Sequence, residues 1–509
     1  MTHAESTSRL EPWDAHNQRL AARVHPADWV NPTPSGRYDL VVIGGGTAGL
    51  VTAAGAAGLG AKVALVERNL LGGDCLNTGC VPSKCLIRAA RAAADVIDAE
   101  QFGVRVPAGT EIDFPAVMER MRRLRADISQ NDSAERFAKL GVAVYIGAGR
   151  FVDRTTLEVA GATLRFRRAV IATGGRPIMP AIPGLDQVGA LTNETIFSLT
   201  RRPERLTVIG GGPIGCELAQ AFQRLGSKVV LVHKNPRLLD REDPNAAEIV
   251  RRSLSRDGVR VILGATVDRL APRGGRTMAF VSAGAGETEW VADHVLVATG
   301  RAPNVEGLDL ERAGVGYDRS RGIVVNDHLQ TANSRIYAAG DVCMKWKFTH
   351  AADAAARIVI QNALFFGRKR LSALTVPRVT FTDPEVAAIG LSERDASESG
   401  IGVKTFERPL ADVDRAITDG ETEGFVRIRT LAGSDRIVGA TIVARHAGEM
   451  IGELGVAMAA KMGLGKLANV IHPYPTQAEA IKGCADAYNR TRLTPSLKRW
   501  LSRWFALGR

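Results

Sequence analysis

The chain has 509 residues, of which 45% are hydrophobic and 24% charged, a composition typical of a globular protein with several domains. The 66 lysines and arginines exceed the 54 aspartates and glutamates and give a formal charge of +12. This excess is spread along a long chain and does not by itself indicate a nucleic-acid partner. Six cysteines are too few for a disulfide scaffold. The first residues lack a basic segment followed by an apolar one, so we expect a reducing, cytoplasmic location.

The stretch 41–61 contains no charged residue and is long enough to cross a bilayer. Seven of its residues are glycines, and the pattern is a short β-branched run, a glycine turn and then a segment of small residues. A buried strand–turn–helix explains this pattern better than a membrane span. We therefore expect no transmembrane segment here.

The first part of the chain, 1–37, is an arm rich in proline that contains Trp13 and Trp29. We expect it to be irregular and to pack on the body of the protein through these aromatic side chains. From Tyr38 onward, strand and helix signals alternate, which is typical of doubly wound α/β folds. The sequence predicts an α/β protein with two Rossmann-like nucleotide-binding domains and a C-terminal α+β dimerisation domain.

The nucleotide-binding prediction depends on a glycine motif, G-x-G-x-x-G, that occurs twice after a hydrophobic strand. Glycines at these positions permit a tight turn and let backbone N–H groups at a helix N-terminus approach a pyrophosphate. Each unit also contains a second hydrophobic strand that ends in Ala-Thr-Gly, so this feature too occurs twice in the chain. The glycines concerned are Gly44, Gly46, Gly49 and Gly174 in the first unit, and Gly210, Gly212, Gly215 and Gly300 in the second.

The residue at the end of the following strand distinguishes the two copies. In the first copy it is Glu67, and an acid there accepts hydrogen bonds from a ribose with free hydroxyls. In the second copy the strand ends in His233 and Lys234, with Arg237 close behind. Cations at this place favour a 2′-phosphate, so the sequence predicts NADPH rather than NADH at the second site. The alternative is that these side chains merely face solvent.

The most specific string is GGDCLNTGCVPSK at 72–84, which contains Cys75 and Cys80. Two cysteines at this spacing can close a small disulfide at a helix start, where Pro82 suits the first turn. The positive end of the helix is expected to lower the pKa of the Cys80 thiol. A zinc site would need further ligands at matching spacing, and a structural disulfide is disfavoured in a reducing compartment. Cys85 is expected to be a buried apolar residue rather than a third redox centre.

Together these motifs resemble those of the class I pyridine nucleotide-disulfide oxidoreductases, a family that includes glutathione reductase, dihydrolipoyl dehydrogenase and mercuric reductase. The resemblance runs from about residue 38 to 484. It implies a homodimer that binds FAD in the first unit and a nicotinamide nucleotide in the second. It also implies that Cys80 is the charge-transfer thiolate beside the flavin and that Cys75 meets the acceptor.

The resemblance implies roles for residues outside the cysteine string as well. Lys84 would lie near flavin N5, paired with Glu217. Asp341, in a string that matches the second FAD motif, would lie on the ribityl–phosphate side of the flavin. The helix that starts near Thr349 and His350 would point its N-terminus at the flavin N1–O2 edge, where negative charge accumulates on reduction.

The C-terminal domain departs from the disulfide reductases of this family, which carry His-Pro-Thr-x-x-Glu there. Aligning Thr476 and Glu479 places Tyr474, rather than His472, at the position of the acid–base histidine. Tyrosine, with an ordinary pKa of about 10, is a weaker proton shuttle at neutral pH than histidine. Tyr474 is therefore expected to assist binding. His472 is either a neighbouring acid–base group or a structural histidine.

Mercuric reductase is similar at the tyrosine and in the segments 241–244 and 381–387. However, that enzyme receives Hg(II) on a C-terminal cysteine pair, and here Cys484 is single. The sequence predicts an FAD enzyme that passes electrons from NADPH through Cys75 and Cys80 to a thiophilic acceptor, with no resident metal. The alternatives are an enzyme acting on a small disulfide or dithiol, and a flavin quinone reductase at a membrane surface.

The last segment, 485–509, carries six basic residues and one acidic residue. Its apolar side chains fall on one helical face, which is typical of a helix that lies on a membrane surface; docking on the body or on the partner is the alternative. The residues of this face are Leu497, Trp500, Leu501, Trp504 and Phe505. The expected domains are the arm 1–37, the FAD domain 38–185 and 311–375, the nucleotide domain 186–310, the dimerisation domain 376–484 and the tail 485–509.

Overall fold

The structure, a computed structural model, describes residues 10–284 and 286–507. The chain forms two compact units. The first contains the described residues up to Lys234 and the segment Ala265–Leu374, and the second contains Asn235–Gly264 and the residues from Thr375 onward. No helix in the described part of the chain is both long enough and apolar enough to span a membrane.

Strands and helices alternate along most of the chain, so the predicted mixed α/β fold class is confirmed. The strands are β1 Arg37–Ile43, β2 Val63–Glu67, β3 Val142–Ile146, β4 Gly149–Asp153, β5 Thr156–Val159, β6 Ala162–Ile171, β7 Gly175–Pro177, β8 Arg205–Ile209, β9 Lys228–His233, β10 Arg260–Leu263, β11 Ala265–Arg273, β12 Arg276–Ala283, β13 Gly286–Ala292, β14 His294–Val297, β15 Arg301–Pro303, β16 Tyr317–Asp318, β17 Gly322–Ile323, β18 Ile336–Ala338, β19 Arg378–Thr380, β20 Glu385–Gly390, β21 Val403–Pro409, β22 Phe425–Leu431 and β23 Ile437–Ala444.

The α-helices range from single turns to five turns. They are α1 Ala15–Val24, α2 Thr47–Gly58, α3 Gly73–Asn77, α4 Cys80–Ile97, α5 Phe114–Ile128, α6 Ala134–Lys139, α7 Pro213–Arg224, α8 Pro244–Arg256, α9 Thr349–Leu364, α10 Glu393–Glu398, α11 Asp414–Thr418, α12 Ala447–Ala459, α13 Leu464–Leu467, α14 Glu479–Arg492 and α15 Pro495–Ala506.

The largest sheet of the first unit has the strand order β3-β2-β1-β6-β5-β4, and β18 also pairs with β6. Strand β1 lies between β2 and β6 and is parallel to both, with Val42 opposite Leu65 and Val170. Its last four residues are all buried, as expected for a central parallel strand covered on both faces. The carboxyl ends of these strands meet at one edge of the sheet, where the first glycine motif follows β1.

Both glycine motifs bring the helix against the preceding strand more closely than a side chain would allow. A Cβ atom at Gly49 would lie 1.8 Å from the carbonyl oxygen of Gly44, and one at Gly215 would lie 1.9 Å from that of Gly210. Gly44 also has a φ of +106°, which disfavours any other residue. In the second copy, β8 lies between β9 and β14 and is parallel to both. The two copies therefore share one strand–turn–helix geometry.

The N-terminal arm packs on the first unit, as expected, but the expectation that it is irregular is wrong for Ala15–Val24, which form the regular helix α1. The Nε1 group of Trp29 donates to the carbonyl oxygen of Val144 at 3.1 Å. Trp13, in contrast, is 51% exposed, so the expectation that both tryptophans pack is wrong for Trp13. The buried residues of α1 are Asn17, Leu20 and Val24.

The second unit contains an antiparallel sheet with the order β19-β20-β23-β22-β21. The segment 241–244, which resembles mercuric reductase, forms ion pairs inside this unit. Glu242 binds Arg378 at 2.7 Å, and Asp243 binds both Arg427 and the fully buried Arg429. These contacts give the segment a structural role.

The C-terminal tail forms helix α15, capped by the side chain of Thr494. None of the residues of α15 is buried. Trp500 and Trp504 are 58% and 61% exposed, and their rings stack with centroids 5.8 Å apart. The predicted apolar face is therefore present on a helix and is not covered by the described residues of the chain.

Candidate active site

The two cysteines of the predicted redox pair lie on consecutive helices. Cys75 lies in the short helix α3, and Cys80 is the first residue of α4. Both are present as free thiols. Gly79 precedes α4 and provides no side-chain cap, so the backbone N–H groups of the first turn surround the position of Cys80. The partial positive charge at this helix end favours a thiolate.

The interaction between the two cysteines separates their acidities. The pKa of Cys80 is lowered to about 6, first by a hydrogen bond from Cys75 and then by a hydrogen bond from Thr349 and the positive charge of Lys84, which together outweigh the effect of burial. The hydroxyl oxygen of Thr349 lies 3.3 Å from the sulfur of Cys80. The pKa of Cys75 is raised, because Cys75 donates this hydrogen bond and is partly buried. At neutral pH the pair therefore holds one proton, on Cys75, and Cys80 is the thiolate.

The predicted pairing of Lys84 with Glu217 is present. Lys84 Nζ on α4 lies 2.9 Å from Glu217 Oε2 on α7. The Glu217 side chain is buried, whereas that of Lys84 is 36% exposed. The negative charge of Glu217 raises the pKa of Cys80, whereas the positive charge of Lys84 lowers it. The paired lysine therefore offsets the carboxylate and stabilises the thiolate.

The ends of β2 and β9 carry side chains that bind the glycine motifs in the same way. Glu67 Oε2 accepts a hydrogen bond from the N–H of Gly45 at 2.5 Å. His233 Nδ1 accepts one from the N–H of Gly211 at 3.1 Å. His233 is therefore buried against the second motif and holds its backbone, while Lys234 is exposed beside it. Arg237 lies in the second unit, where its Nη2 donates to the carbonyl oxygen of Asp240.

Asp341 belongs to an ion-pair cluster that the sequence did not reveal. Arg301 binds Asp74 through Nη2, and its Nε lies 3.5 Å from Asp341 Oδ2. Burial raises the pKa of Asp341, and the positive charge of Arg301 opposes this effect. The signal available for Arg301 was its position directly after Gly300, which ends the second Ala-Thr-Gly string.

Helix α9 begins at Thr349 and His350, as expected. The preceding residue, Phe348, provides no side-chain cap, and its ring stacks on that of His350 with centroids 5.4 Å apart. The first turn of α9 therefore lies beside the Cys80 sulfur through Thr349.

The residues present fit FAD in the first glycine unit and a nicotinamide dinucleotide in the second. Helices α2, α7 and α9, whose N-termini are the predicted anion sites, have no side-chain cap. Helices α1, α5 and α8, in contrast, are each capped by an aspartate. A Cβ atom at Gly212 would meet nothing within 4 Å, so the second motif is open to a phosphate. A pyrophosphate binds at a helix N-terminus whose backbone N–H groups are free of a side-chain cap and are approached over glycines.

A cavity of about 340 Å³ opens beside Cys80, between α4 and α5. Its lining includes Cys80, Lys84, Cys85, Arg88 and Arg120. Cys85 is half-buried and borders this cavity, so the expectation that it is buried is wrong, although partial burial raises its pKa and keeps it a thiol. The positive charges of Arg120 and Arg125 oppose this effect of burial on the pKa of Cys85 without cancelling it.

The C-terminal candidates lie in the second unit. Tyr474 is 70% exposed and donates to Asp414 at 2.9 Å, and this hydrogen bond raises its pKa. A raised pKa makes Tyr474 a still weaker acid–base group. His472 is engaged at both nitrogens, with Glu453 at 2.9 Å and the carbonyl oxygen of Val470 at 3.2 Å, which favours a structural histidine. Glu479 is the first residue of α14.

The chain matches two models of one protein family. The pyridine nucleotide-disulphide oxidoreductase model covers residues 38–356, and the model of the dimerisation domain of that family covers 376–485. The chain therefore belongs to the pyridine nucleotide-disulphide oxidoreductases, and the resemblance in the sequence is confirmed. It is an FAD-containing enzyme that uses a pyridine nucleotide.

Individual relatives within this family differ in their named activities. Mercuric reductase of Lysinibacillus sphaericus is 37% identical over 453 residues, which cover 89% of this chain and 83% of that protein. Dihydrolipoyl dehydrogenase of Chlamydia muridarum is 34% identical, covering 87% of this chain and 95% of that protein. The Cu(II) complex of the HOCl-induced flavoprotein disulfide reductase RclA from Escherichia coli superposes with a TM-score of 0.79 at 27% identity, covering 89% of this chain and 100% of that one.

The charges of Lys84 and Glu217 should move the acidity of Cys80 in opposite directions. In the reduced holoenzyme, the pH midpoint of Cys80 alkylation should lie near 6, and Lys84→Met should raise it by about one pH unit. Glu217→Gln should lower the midpoint, because it removes the opposing negative charge. Lys482→Met is a matched control, since Lys482 is equally exposed and pairs with Asp486 at 3.0 Å. An unchanged midpoint in Lys84→Met would contradict the assignment.

Proposed function

We propose that this protein is a homodimeric, cytoplasmic NADPH-dependent flavoenzyme that reduces a thiophilic acceptor, with Hg(II) as the first candidate, through Cys75 and Cys80. The observation that carries the proposal is the stabilised Cys80 thiolate, which accepts a hydrogen bond from Cys75 and lies beside Lys84. The mercuric reductase relatives and the tyrosine at position 474 favour Hg(II) within this class.

FAD, when bound, carries the electron pair of the nicotinamide to the Cys75–Cys80 disulfide. Two electrons and one proton then give the Cys75 thiol and the Cys80 thiolate, which Lys84 and Thr349 stabilise. Hg(II) would be ligated by both sulfurs with release of the Cys75 proton. A second NADPH would supply the electron pair that converts it to Hg(0), and both sulfurs would be left reduced. Tyr474, contributed by the partner subunit, would donate a hydrogen bond to the acceptor or its ligands.

A small disulfide is the second candidate, because the relatives also include dihydrolipoyl dehydrogenases. Deprotonated Cys75 would attack one sulfur of the acceptor, forming a mixed disulfide and releasing the first thiol. Cys80 would then attack Cys75, closing the Cys75–Cys80 disulfide and releasing the second thiol. A dithiol substrate would run the same steps in reverse, with NAD⁺ as the final acceptor.

Replacing the cysteines tests the thiol pathway. Cys75→Ser and Cys80→Ser should each reduce NADPH-dependent turnover of Hg(II) or of disulfides by at least about 10³-fold, because one sulfur cannot form the couple. Quinone reduction by the same variants serves as an internal control and should persist. Cys484→Ser controls for loss of a cysteine elsewhere, since a serine can keep the hydrogen bond to the carbonyl of Val426. Full turnover of Hg(II) and disulfides in Cys75→Ser would refute the pathway.

Lys234 supports the choice of NADPH. It is exposed directly after His233, the residue that stands in the second unit where Glu67 stands in the first. A cation there attracts the charge of a 2′-phosphate, and no carboxylate replaces Glu67 to bind a free ribose hydroxyl.

Reversing the charge at position 234 should weaken the binding of NADPH but not that of NADH. Lys234→Glu should raise the KM for NADPH about tenfold, the equivalent of 1.4 kcal/mol, and leave the KM for NADH nearly unchanged or lower. Lys228→Glu makes the same charge change on the exposed first residue of β9, at the opposite end of the strand, and should have little effect. A clear preference of the wild-type protein for NADH would reject the NADPH assignment.

The exposed helix α15 supports a further proposal, that the protein binds to a membrane surface. The alternative function, quinone reduction, would take place at the same surface. Its apolar face is exposed, and basic residues accompany it. Amphipathic helices with exposed tryptophans and excess positive charge bind anionic lipid surfaces.

Vesicle binding separates this role from the catalytic proposal. The protein should co-sediment with phosphatidylglycerol vesicles and much less with phosphatidylcholine vesicles, and deletion of residues 490–509 should abolish the binding. Trp500→Ala together with Trp504→Ala should weaken binding at least about tenfold, whereas Trp13→Ala, at another exposed tryptophan, should not. Equal binding by the truncated protein would exclude a membrane role for the tail.

A further inference from the structure

Helix α1 precedes the part of the chain that the family model matches, which begins at residue 38. It is nevertheless anchored by buried polar contacts. Asn17 is fully buried, its backbone N–H is capped by Asp14 at 2.9 Å, and its Nδ2 donates to the carbonyl oxygen of Pro12 at 2.7 Å. This orientation leaves the Asn17 Oδ1 atom pointing away from α1 as an acceptor.

Arg125 on α5 connects this acceptor to the loop between the two cysteines. Its Nη2 donates to Asn17 Oδ1 at 2.6 Å, and its Nη1 donates to the carbonyl oxygen of Asn77 at 2.7 Å. Asn77 lies between Cys75 and Cys80. One guanidinium group therefore holds both the N-terminal helix and the backbone of the redox loop.

The C-terminal end of α1 holds the segment that leads into the same loop. The carbonyl oxygen of Val24 accepts from the N–H of Leu71 at 3.0 Å, and His25 Nδ1 donates to the carbonyl oxygen of Asn69 at 2.6 Å. The Asn77 side chain in turn donates to the carbonyl oxygen of Leu71 at 3.1 Å. The redox loop is thus attached to α1 on two sides.

The attachment of the redox loop to α1 depends on both acceptors of the Arg125 guanidinium, Asn17 Oδ1 and the carbonyl oxygen of Asn77. Arg125 is only 4% exposed, and this burial lowers its pKa to about 10. Its guanidinium group therefore remains charged at neutral pH. Both oxygens that it binds are uncharged. A buried cation that loses one of two such acceptors is left with an unsatisfied charged donor, so its guanidinium shifts toward another acceptor. Loss of Asn17 Oδ1 would therefore release the carbonyl of Asn77.

We propose that Asn17 is a positioning residue for the Cys75–Cys80 couple and that it acts through Arg125 to hold the backbone of Asn77. This inference rests on the redox pair of the proposed function. A held loop keeps the two sulfurs together and so favours ring closure to the disulfide. A released loop lets them separate, which favours the dithiol.

The test is the thiol–disulfide equilibrium of the FAD-loaded protein in dithiothreitol redox buffers, measured by alkylation of Cys75 and Cys80. Asn17→Leu, which keeps the size of the side chain but not the acceptor, should shift this equilibrium about tenfold toward the dithiol, or about 30 mV. It should also raise the alkylation midpoint of Cys80, because the hydrogen bond from Cys75 lowers that midpoint to about 6. Asn17→Asp keeps the acceptor and should restore both values.

Gln18→Leu is the matched control, because it removes an exposed amide at the next position of α1. Arg125→Lys, which keeps the buried charge but cannot reach both oxygens, should shift the equilibrium in the same direction as Asn17→Leu. An unchanged equilibrium in either flavin-loaded variant would overturn the inference while leaving the proposed function intact. If NADPH generates no Cys75–Cys80 dithiol in the wild-type protein, the proposed function and this inference fail together.

Discussion

The hydrogen bond from the Cys75 thiol to the Cys80 thiolate is the interaction on which the active site depends. It requires the end of α3 and the start of α4 to meet at a glycine that offers no side-chain cap. It is reinforced by Thr349 on α9 and by Lys84, whose charge Glu217 on α7 holds in place. Four helices from three parts of the chain thus stabilise one negative charge, which explains how this thiol can be ionised at neutral pH.

The duplicated nucleotide units show how one fold supports two ligands. The residue after the first glycine of each motif, Gly45 or Gly211, donates its backbone N–H to a side chain at the end of the next strand. This side chain is Glu67 in one unit and His233 in the other. The turn needs an acceptor at this position, and either residue supplies it. The units differ in the acceptor itself, because a carboxylate has a second oxygen that can also bind a ribose hydroxyl and the histidine has none. The next residue is an exposed cation in both units, Arg68 in the first and Lys234 in the second. Structural and ligand-binding demands are therefore separable at this position.

The sequence predicted those parts of the site that depend on local pattern. The glycine motifs, the cysteine string and the start of α9 are short, and their residue types are dictated by turn geometry and helix ends. The Arg301–Asp74–Asp341 cluster and the contact of Arg125 with Asn77 were not predicted. Their members are far apart in the chain, and an arginine on a helix or strand has the same local signal whether it faces solvent or a buried partner. The burial of Cys85 and Trp13 was misjudged for the same reason.

The N-terminal helix α1 and the C-terminal helix α15 contribute different kinds of side chain to the protein. The N-terminal helix contributes buried polar groups, and a buried guanidinium bound to neutral oxygens costs free energy unless its partners are fixed. Such a network specifies one arrangement of the redox loop rather than adding general stability. The C-terminal helix contributes exposed tryptophans and cations, which gain nothing from the described chain and are suited to an external surface. The two proposals accordingly assign different kinds of role to the two extensions: the N-terminal helix would act on the chemistry of the thiols, and the C-terminal helix on where that chemistry takes place.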